Sequence, residues 1–160
     1  VCLIAGFEDG SLVVWNIEEG GVLKCQLKIY SEPITCICMD KEGRGGVCGS
    51  ADKGMSAFIL NGGGGGIEVK YTVDLKKGGG KGEGVVGLND LTIRQDDAIF
   101  AAAGWDGKVR VYRYKNGKLL AVLRYHTAAV SAVEFGPKTG RLASASRDGT
   151  VALWDVYPIK

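Results

Sequence analysis

Three short runs place apolar side chains at their first, fourth and sixth positions: Ile34-Thr-Cys-Ile-Cys-Met39, Leu88-Asn-Asp-Leu-Thr-Ile93 and Val130-Ser-Ala-Val-Glu-Phe135. Continued without a gap, Met39, Ile93 and Phe135 each lie 13 residues before an aspartate: Asp52, Asp106 and Asp148. Six residues further on stand Phe58, Tyr112 and Trp154. The segment AGFEDGSLVVW, Ala5 to Trp15, repeats the second half, with Asp9 six residues before Trp15. Asp-Gly at 9–10, 106–107 and 148–149 suits the left-handed conformation of a two-residue hairpin turn. Lys108-Val-Arg-Val-Tyr112 alternates polar and apolar, whereas Leu12-Val-Val-Trp15 is apolar throughout, as in a strand packed on both faces. No segment carries a helical period, so the pattern predicts strands from end to end.

The aspartate intervals are 43, 54 and 42 residues. Two fall in the window of about 40–45 residues for one four-stranded propeller blade. The long interval holds GGGGG and KKGGGKGEG between Asn61 and Gly87, flanking a strand near Ile67 to Asp74. Glycine-rich chain loses much backbone entropy on ordering, which predicts a mobile inserted loop. The expected architecture is all-β, about three and a half blades: a partial blade over 1–28 and a full blade over 29–75. A second full blade follows over 76–124, preceded by the glycine-rich loop. The last blade, 125–160, lacks its outer strand.

Composition narrows the class without changing this picture. Of the 160 residues, 24% are charged and the formal net charge is +2, too small to argue for a nucleic-acid or membrane surface. No run approaches 18 apolar residues, so no membrane span is expected. The five cysteines lack Cys-x-x-Cys spacing and the chain has one histidine, so no zinc set is expected. They read as reduced, buried apolar residues of an intracellular protein, and no cofactor is expected. A beginning at Val1, already inside an apolar stretch and without a signal peptide, points to a missing N-terminal part.

Ser144, His126 and Asp148 lie close enough in sequence for a hydrolase triad, but a nucleophile needs an exposed serine and oxyanion donors. No Gly-x-Ser-x-Gly elbow occurs. Gly82-Glu-Gly84-Val-Val-Gly87 fits a dinucleotide fingerprint in letters only, because a strand rather than a helix is expected after it. Lys76, Lys77 and Lys81 offer direct nucleic-acid contact as an alternative, but they lack interleaved aromatics for stacking bases. The turns Phe7–Asp9, Ala51–Lys53, Trp105–Gly107 and Arg147–Gly149 are the expected contact loops. Phe7, Trp105 and Arg147 are the candidate partner contacts. Large aromatics at turns anchor partners well.

The pattern His-x-x-x-Val, Asp-Gly, Leu-Trp-Asp resembles a WD40 repeat, whose fold is a β-propeller. That resemblance implies a hydrogen-bonded structural tetrad of His126, Ser144, Asp148 and Trp154, with Asp9, Asp52, Asp106 and Asp148 as the blade-turn aspartates. The last blade alone has the full set. At the histidine position the second and third blades have Tyr30 and Gly84; at the serine position they have Cys48 and Ala102, and the first has Ala5. Those blades are expected to hold their turns through packing and the aspartate itself.

Taken together, AGFEDGSLVVW, GSADKGMSAFIL, AAAGWDGKVRVY, LAVLRYHTAAVSAVEF and LWDVYPIK resemble the C-terminal half of the G-protein β-subunit-like protein 1 group. That group includes the ASTRA-associated protein 1 family and the plant protein named decreased size exclusion limit 1. The resemblance implies a non-enzymatic adaptor in the nucleus and cytoplasm. It would assist assembly or maturation of phosphatidylinositol-3-kinase-like kinases with chaperone partners, or join ASTRA-type chromatin complexes. In plants the expected roles are development and cell-to-cell trafficking. The resemblance also implies a ring of about seven blades, with N-terminal blades of the same chain missing here; a piece alone would expose apolar faces and unpaired strand edges, which predicts poor solubility.

Overall fold

The structure is a computed structural model describing residues 1–51, 54–62, 65–75 and 87–157. The described residues form four antiparallel sheets in chain order, with no helix. The first sheet is a meander of β1 (Cys2–Gly6), β2 (Ser11–Asn16) and β3 (Val22–Lys28). The second runs β4 (Ile34–Met39), β5 (Gly45–Ser50), β6 (Gly54–Asn61) and β7 (Gly66–Asp74). The third runs β8 (Leu88–Ile93), β9 (Ile99–Gly104), β10 (Lys108–Arg113) and β11 (Leu119–Arg124). The last has three strands, β12 (Val130–Phe135), β13 (Leu142–Ser146) and β14 (Val151–Trp154). The three runs picked out by their apolar offsets are β4, β8 and β12.

Sheets of three or four short strands each bury little alone, so stability comes from face-to-face stacking of one sheet on the next. Leu12 of the first sheet packs with Cys48 and Phe58 of the second. Val47 and Met55 of the second meet Leu88, Phe100 and Tyr112 of the third. Ala101, Ala103, Val109 and Val111 of the third meet Val130, Val133, Phe135 and Leu142 of the last. The leading strands β4, β8 and β12 touch in succession, and the core is divided among the gaps between sheets. This is part of a β-propeller.

The middle strands confirm the two-sided packing predicted from the apolar run in β2, where Leu12, Val13 and Val14 are buried. β9 is buried at all six positions. β10 departs from its alternating pattern: Arg110, expected to face water, is buried. The reason is a carboxylate within reach, described below.

β4, β8 and β12 share a register irregularity at the same step, between Ile34 and Cys36, Leu88 and Asp90, and Val130 and Ala132. A residue at such a bulge leaves the ladder and re-aims its side chain. Thr35, Asn89 and Ser131 occupy these positions. At the turns between middle strands Gly10, Gly107 and Gly149 take φ of 83°, 75° and 83°, which only glycine adopts at no cost. A side chain at Gly10 would also strike the Tyr30 carbonyl.

Candidate functional site

The turn of the last sheet carries the chain's single imidazole. β13 supplies Ser144, β14 supplies Trp154, the intervening turn supplies Asp148 and Thr150, and His126 enters from the segment before β12. Trp154 Nε1–H donates to Ser144 Oγ at 2.9 Å. Ser144 Oγ lies 2.8 Å from His126 Nε2, and His126 Nδ1 lies 2.9 Å from Thr150 Oγ1. The Thr150 hydroxyl donates to Asp148 Oδ1 at 2.6 Å. The four residues named from the sequence therefore meet, with a fifth, Thr150, between two of them. His126 Nδ1 is 3.5 Å from Asp148 Oδ2, so the imidazole reaches the carboxylate chiefly through the threonine.

The two ends, with a single proton on the ring between them, fix the direction of every bond. An indole N–H can only donate and a carboxylate can only accept. Thr150 gives its hydrogen to Asp148, so it accepts from His126 Nδ1–H. The other ring nitrogen then accepts from the Ser144 hydroxyl, whose oxygen accepts from Trp154. The chain of donors is complete with a neutral Nδ1–H imidazole, and the tautomer follows from the network. The His126 side chain is 1% exposed and Ser144 is 1% exposed. Tyr125 closes the outer side, its ring edge-on to both His126 and Trp154.

Asp148 also accepts from the Thr150 and Thr127 backbone N–H groups, at 2.9 and 2.8 Å. The Thr150 hydroxyl, the Thr127 amide and the Thr150 amide together hold its carboxyl well below the ordinary value. The Ser144 oxygen is buried and engaged from two sides, by His126 and Trp154.

The other sheets fill the same positions with different chemistry. In the second, Tyr30 at the histidine position donates its hydroxyl to the carbonyl of Cys48 at 3.2 Å, and Cys48 occupies the serine position. Burial pushes the Tyr30 hydroxyl far above the ordinary range and the Cys48 thiol up to about 11. In the third, Ala102 replaces the serine, and Arg110 stands across from it in the ladder. In the last sheet the partner of Ser144 is Ala152.

Arg110 makes a two-pronged pair with Asp106, at 3.0 and 2.7 Å, and Lys108 Nζ adds a contact at 3.3 Å. Burial raises the Asp106 carboxyl, but Arg110 and Lys108 together outweigh it and the net displacement is downward. In the first sheet Asp9 accepts from the Ser11 amide and hydroxyl, both at 3.0 Å. The expectation for these sheets is that packing and the aspartate itself mainly hold the turns. The structure adds a tyrosine–cysteine contact in one and an arginine fork in another.

The three candidate contacts do not form one cluster of like environment. Trp105 is 41% exposed, yet its Nε1–H donates to Asn89 Oδ1 at 2.7 Å. Phe7 is 43% exposed and leans on Trp15, ring centres 5.9 Å apart. Arg147 is exposed, and its backbone N–H donates to the Ala129 carbonyl at 3.0 Å. Asp52 and Lys53, the glycine-rich Gly82–Gly87 match through position 86 (Gly84 included), and Lys76, Lys77 and Lys81 lie outside the described residues. Among the described residues no group of three or more His, Cys, Asp or Glu could hold a metal, and no helix is long and apolar enough to cross a membrane.

Sequence reasoning missed Thr150, Arg110 and Asn89. Thr150 was signalled by its place two residues after Asp148, where a hydroxyl closes an Asx turn. Arg110 carried no signal, because alternation along β10 assigns it to water. Asn89 had no signal short of the bulge itself.

Residues 80–113 and 117–155 match the family model for the WD domain, G-beta repeat. The chain is 36% identical to guanine nucleotide-binding protein subunit beta-like protein 1 of Mus musculus, over 98% of this chain and 44% of that protein. It is 28% identical to ASTRA-associated protein 1 of Schizosaccharomyces japonicus, again over 98% of this chain and 44% of the relative. The Schizosaccharomyces pombe protein of the same name is 41% identical over 44% of this chain and 19% of its own length. The chain thus spans somewhat less than half of the first two relatives.

Proposed function

We propose that this WD40-repeat chain, a relative of the G-protein beta-like protein 1 and ASTRA-associated protein 1 group, is part of a non-catalytic adaptor. The observation that carries the reading is the turn of the last sheet, where His126, Ser144, Thr150 and Asp148 are engaged with one another. WD40 repeats and relatives with these names support a protein-interaction adaptor. The finer reading is assembly or maturation of large complexes, either chaperoning of phosphatidylinositol-3-kinase-like kinases or work with ASTRA-type chromatin complexes. A structural tetrad of His126, Ser144, Asp148 and Trp154, the segment boundaries given above, and an intracellular location in nucleus and cytoplasm belong to the same proposal. Binding uses the turns between middle strands, which a stacked set of sheets holds in fixed positions.

Affinity purification of the full-length protein followed by mass spectrometry tests this reading. Recovery of kinase-maturation chaperones or chromatin-complex subunits supports it. Turnover of an ester or peptide substrate that disappears on Ser144→Ala with unchanged melting would replace it with a hydrolase.

A further inference from the structure

Among the described residues, one exposed aromatic is held rigid from three sides. The Trp105 backbone N–H donates to the Gly87 carbonyl at 3.0 Å, and its indole lies so close over Gly87 that a methyl there would fall 2.6 Å from the ring. The indole N–H is fixed by Asn89, freed from its ladder by the bulge in β8, and Asn89 Nδ2 in turn donates to the Val130 carbonyl at 2.7 Å. Trp105 is therefore pinned across the third and last sheets with its own polar atom satisfied. It offers apolar area at little further entropy cost, the property of an interface anchor.

The segment following His126 runs between two turns. On one side Gly107 approaches the carbonyls of His126 and Ala128. On the other, Ser146 Oγ donates to the Ala128 and Ala129 carbonyls at 3.0 and 3.1 Å, and Arg147 N–H donates to Ala129. Trp105 and Arg147 thus flank Thr127–Ala129, a stretch of small side chains with Thr127 exposed and both alanines half-buried.

The charge of this stretch is decided by which groups are already occupied. Asp106 is held by Arg110 and Lys108, and Asp148 by Thr127 and Thr150. Asp90, on the neighbouring bulge, accepts from the Leu91 and Val133 amides. Arg147 is exposed, and no carboxylate among the described residues pairs with it. The acids face inward and the cation faces out.

We propose that Trp105, Thr127–Ala129 and Arg147 form a docking surface for a short acidic segment of a partner protein carrying an apolar side chain. The apolar group lies on the open face of the indole, and the neighbouring carboxylate pairs with Arg147, whose planar fork suits it. The inference rests on the adaptor reading and specifies where and what it binds.

Selection of a library of short random peptides on the full chain tests it, with Trp105→Ala/Arg147→Glu as the counter-target. Enriched peptides are expected to carry Asp or Glu within a few residues of Leu, Phe or Trp. Trp105→Ala weakens them about 30-fold, the mark of an aromatic anchor. Arg147→Glu abolishes the acidic preference, Arg147→Lys keeps most of it, and added salt weakens binding to wild type. Melting curves of each variant separate loss of binding from loss of fold. Enrichment of basic peptides, equal binding by the double variant, or no enrichment overturns the site. Peptides selected at another surface overturn it while leaving the adaptor reading in place.

Discussion

Thr150→Val isolates the hydrogen bond that joins the imidazole to the turn, because it exchanges a hydroxyl for a methyl with little change of shape. Two bonds go at once: the 2.9 Å contact to His126 Nδ1 and the 2.6 Å donation to Asp148 Oδ1. Asp148 keeps two backbone donors, at 2.9 and 2.8 Å. The His126 side chain is 1% exposed, so water cannot take the place of the threonine. If the ring instead turns to the other tautomer, Nδ1 faces a methyl and the Ser144 hydroxyl loses its acceptor, so one group stays orphaned either way. An unsatisfied buried donor costs about 1–3 kcal/mol. For a chain of this size about 2 kcal/mol lowers the melting midpoint by roughly 4–8 °C. Thr150→Ser retains the oxygen and should stay within about 0.5 kcal/mol of wild type. Urea unfolding followed by tryptophan fluorescence measures both. Equal stability of the valine and serine variants would refute the directional chain.

Four further outcomes follow from the same geometry. Asp148 titrates below its ordinary value when folded, so its stabilisation is complete above the unfolded value near 3.8 and fades as pH falls through the lower folded one; unfolding curves in that acid range should flatten in Asp148→Asn. Removing only the acid of the buried fork, Asp106→Ala, should cost about 3–5 kcal/mol, and Asp106→Ala/Arg110→Met should recover most of it by chemical denaturation. Cys36 and Cys48, pushed up to about 12 and about 11 by burial, should resist alkylation until unfolding, whereas the exposed Cys2 should react in the folded chain; peptide mapping after labelling reads this. Gly87→Ala should lift the indole from its seat and red-shift the Trp105 contribution to fluorescence, with no shift expected if the ring were free.

Repeat spacing was legible in the sequence because one rule recurs: apolar offsets on the leading strand of three sheets, Asp-Gly at three of the four turns, and an aromatic six residues after every turn aspartate. Those features are local, and β4, β8 and β12 follow from them residue for residue. The last sheet's constellation was legible for the same reason, since four of its five members sit at positions the repeat defines. The interior of β10 was not legible, because alternation assigns Arg110 to water unless the pairing carboxylate four residues earlier is known to fold back over it. Nor was the seat of Trp105, which depends on a bulge that frees Asn89 and on a glycine that brings backbone against the ring. Such contacts join residues from two sheets, and no period along the chain records them.

Because His126 is the chain's one histidine, a single long-range ¹⁵N spectrum near neutral pH reads the imidazole without ambiguity. A ring sequestered in the last sheet gives a protonated Nδ1, an unprotonated Nε2, and slow exchange of its proton with water. A doubly protonated or rapidly exchanging ring, open to solvent as a general base must be, would contradict the account.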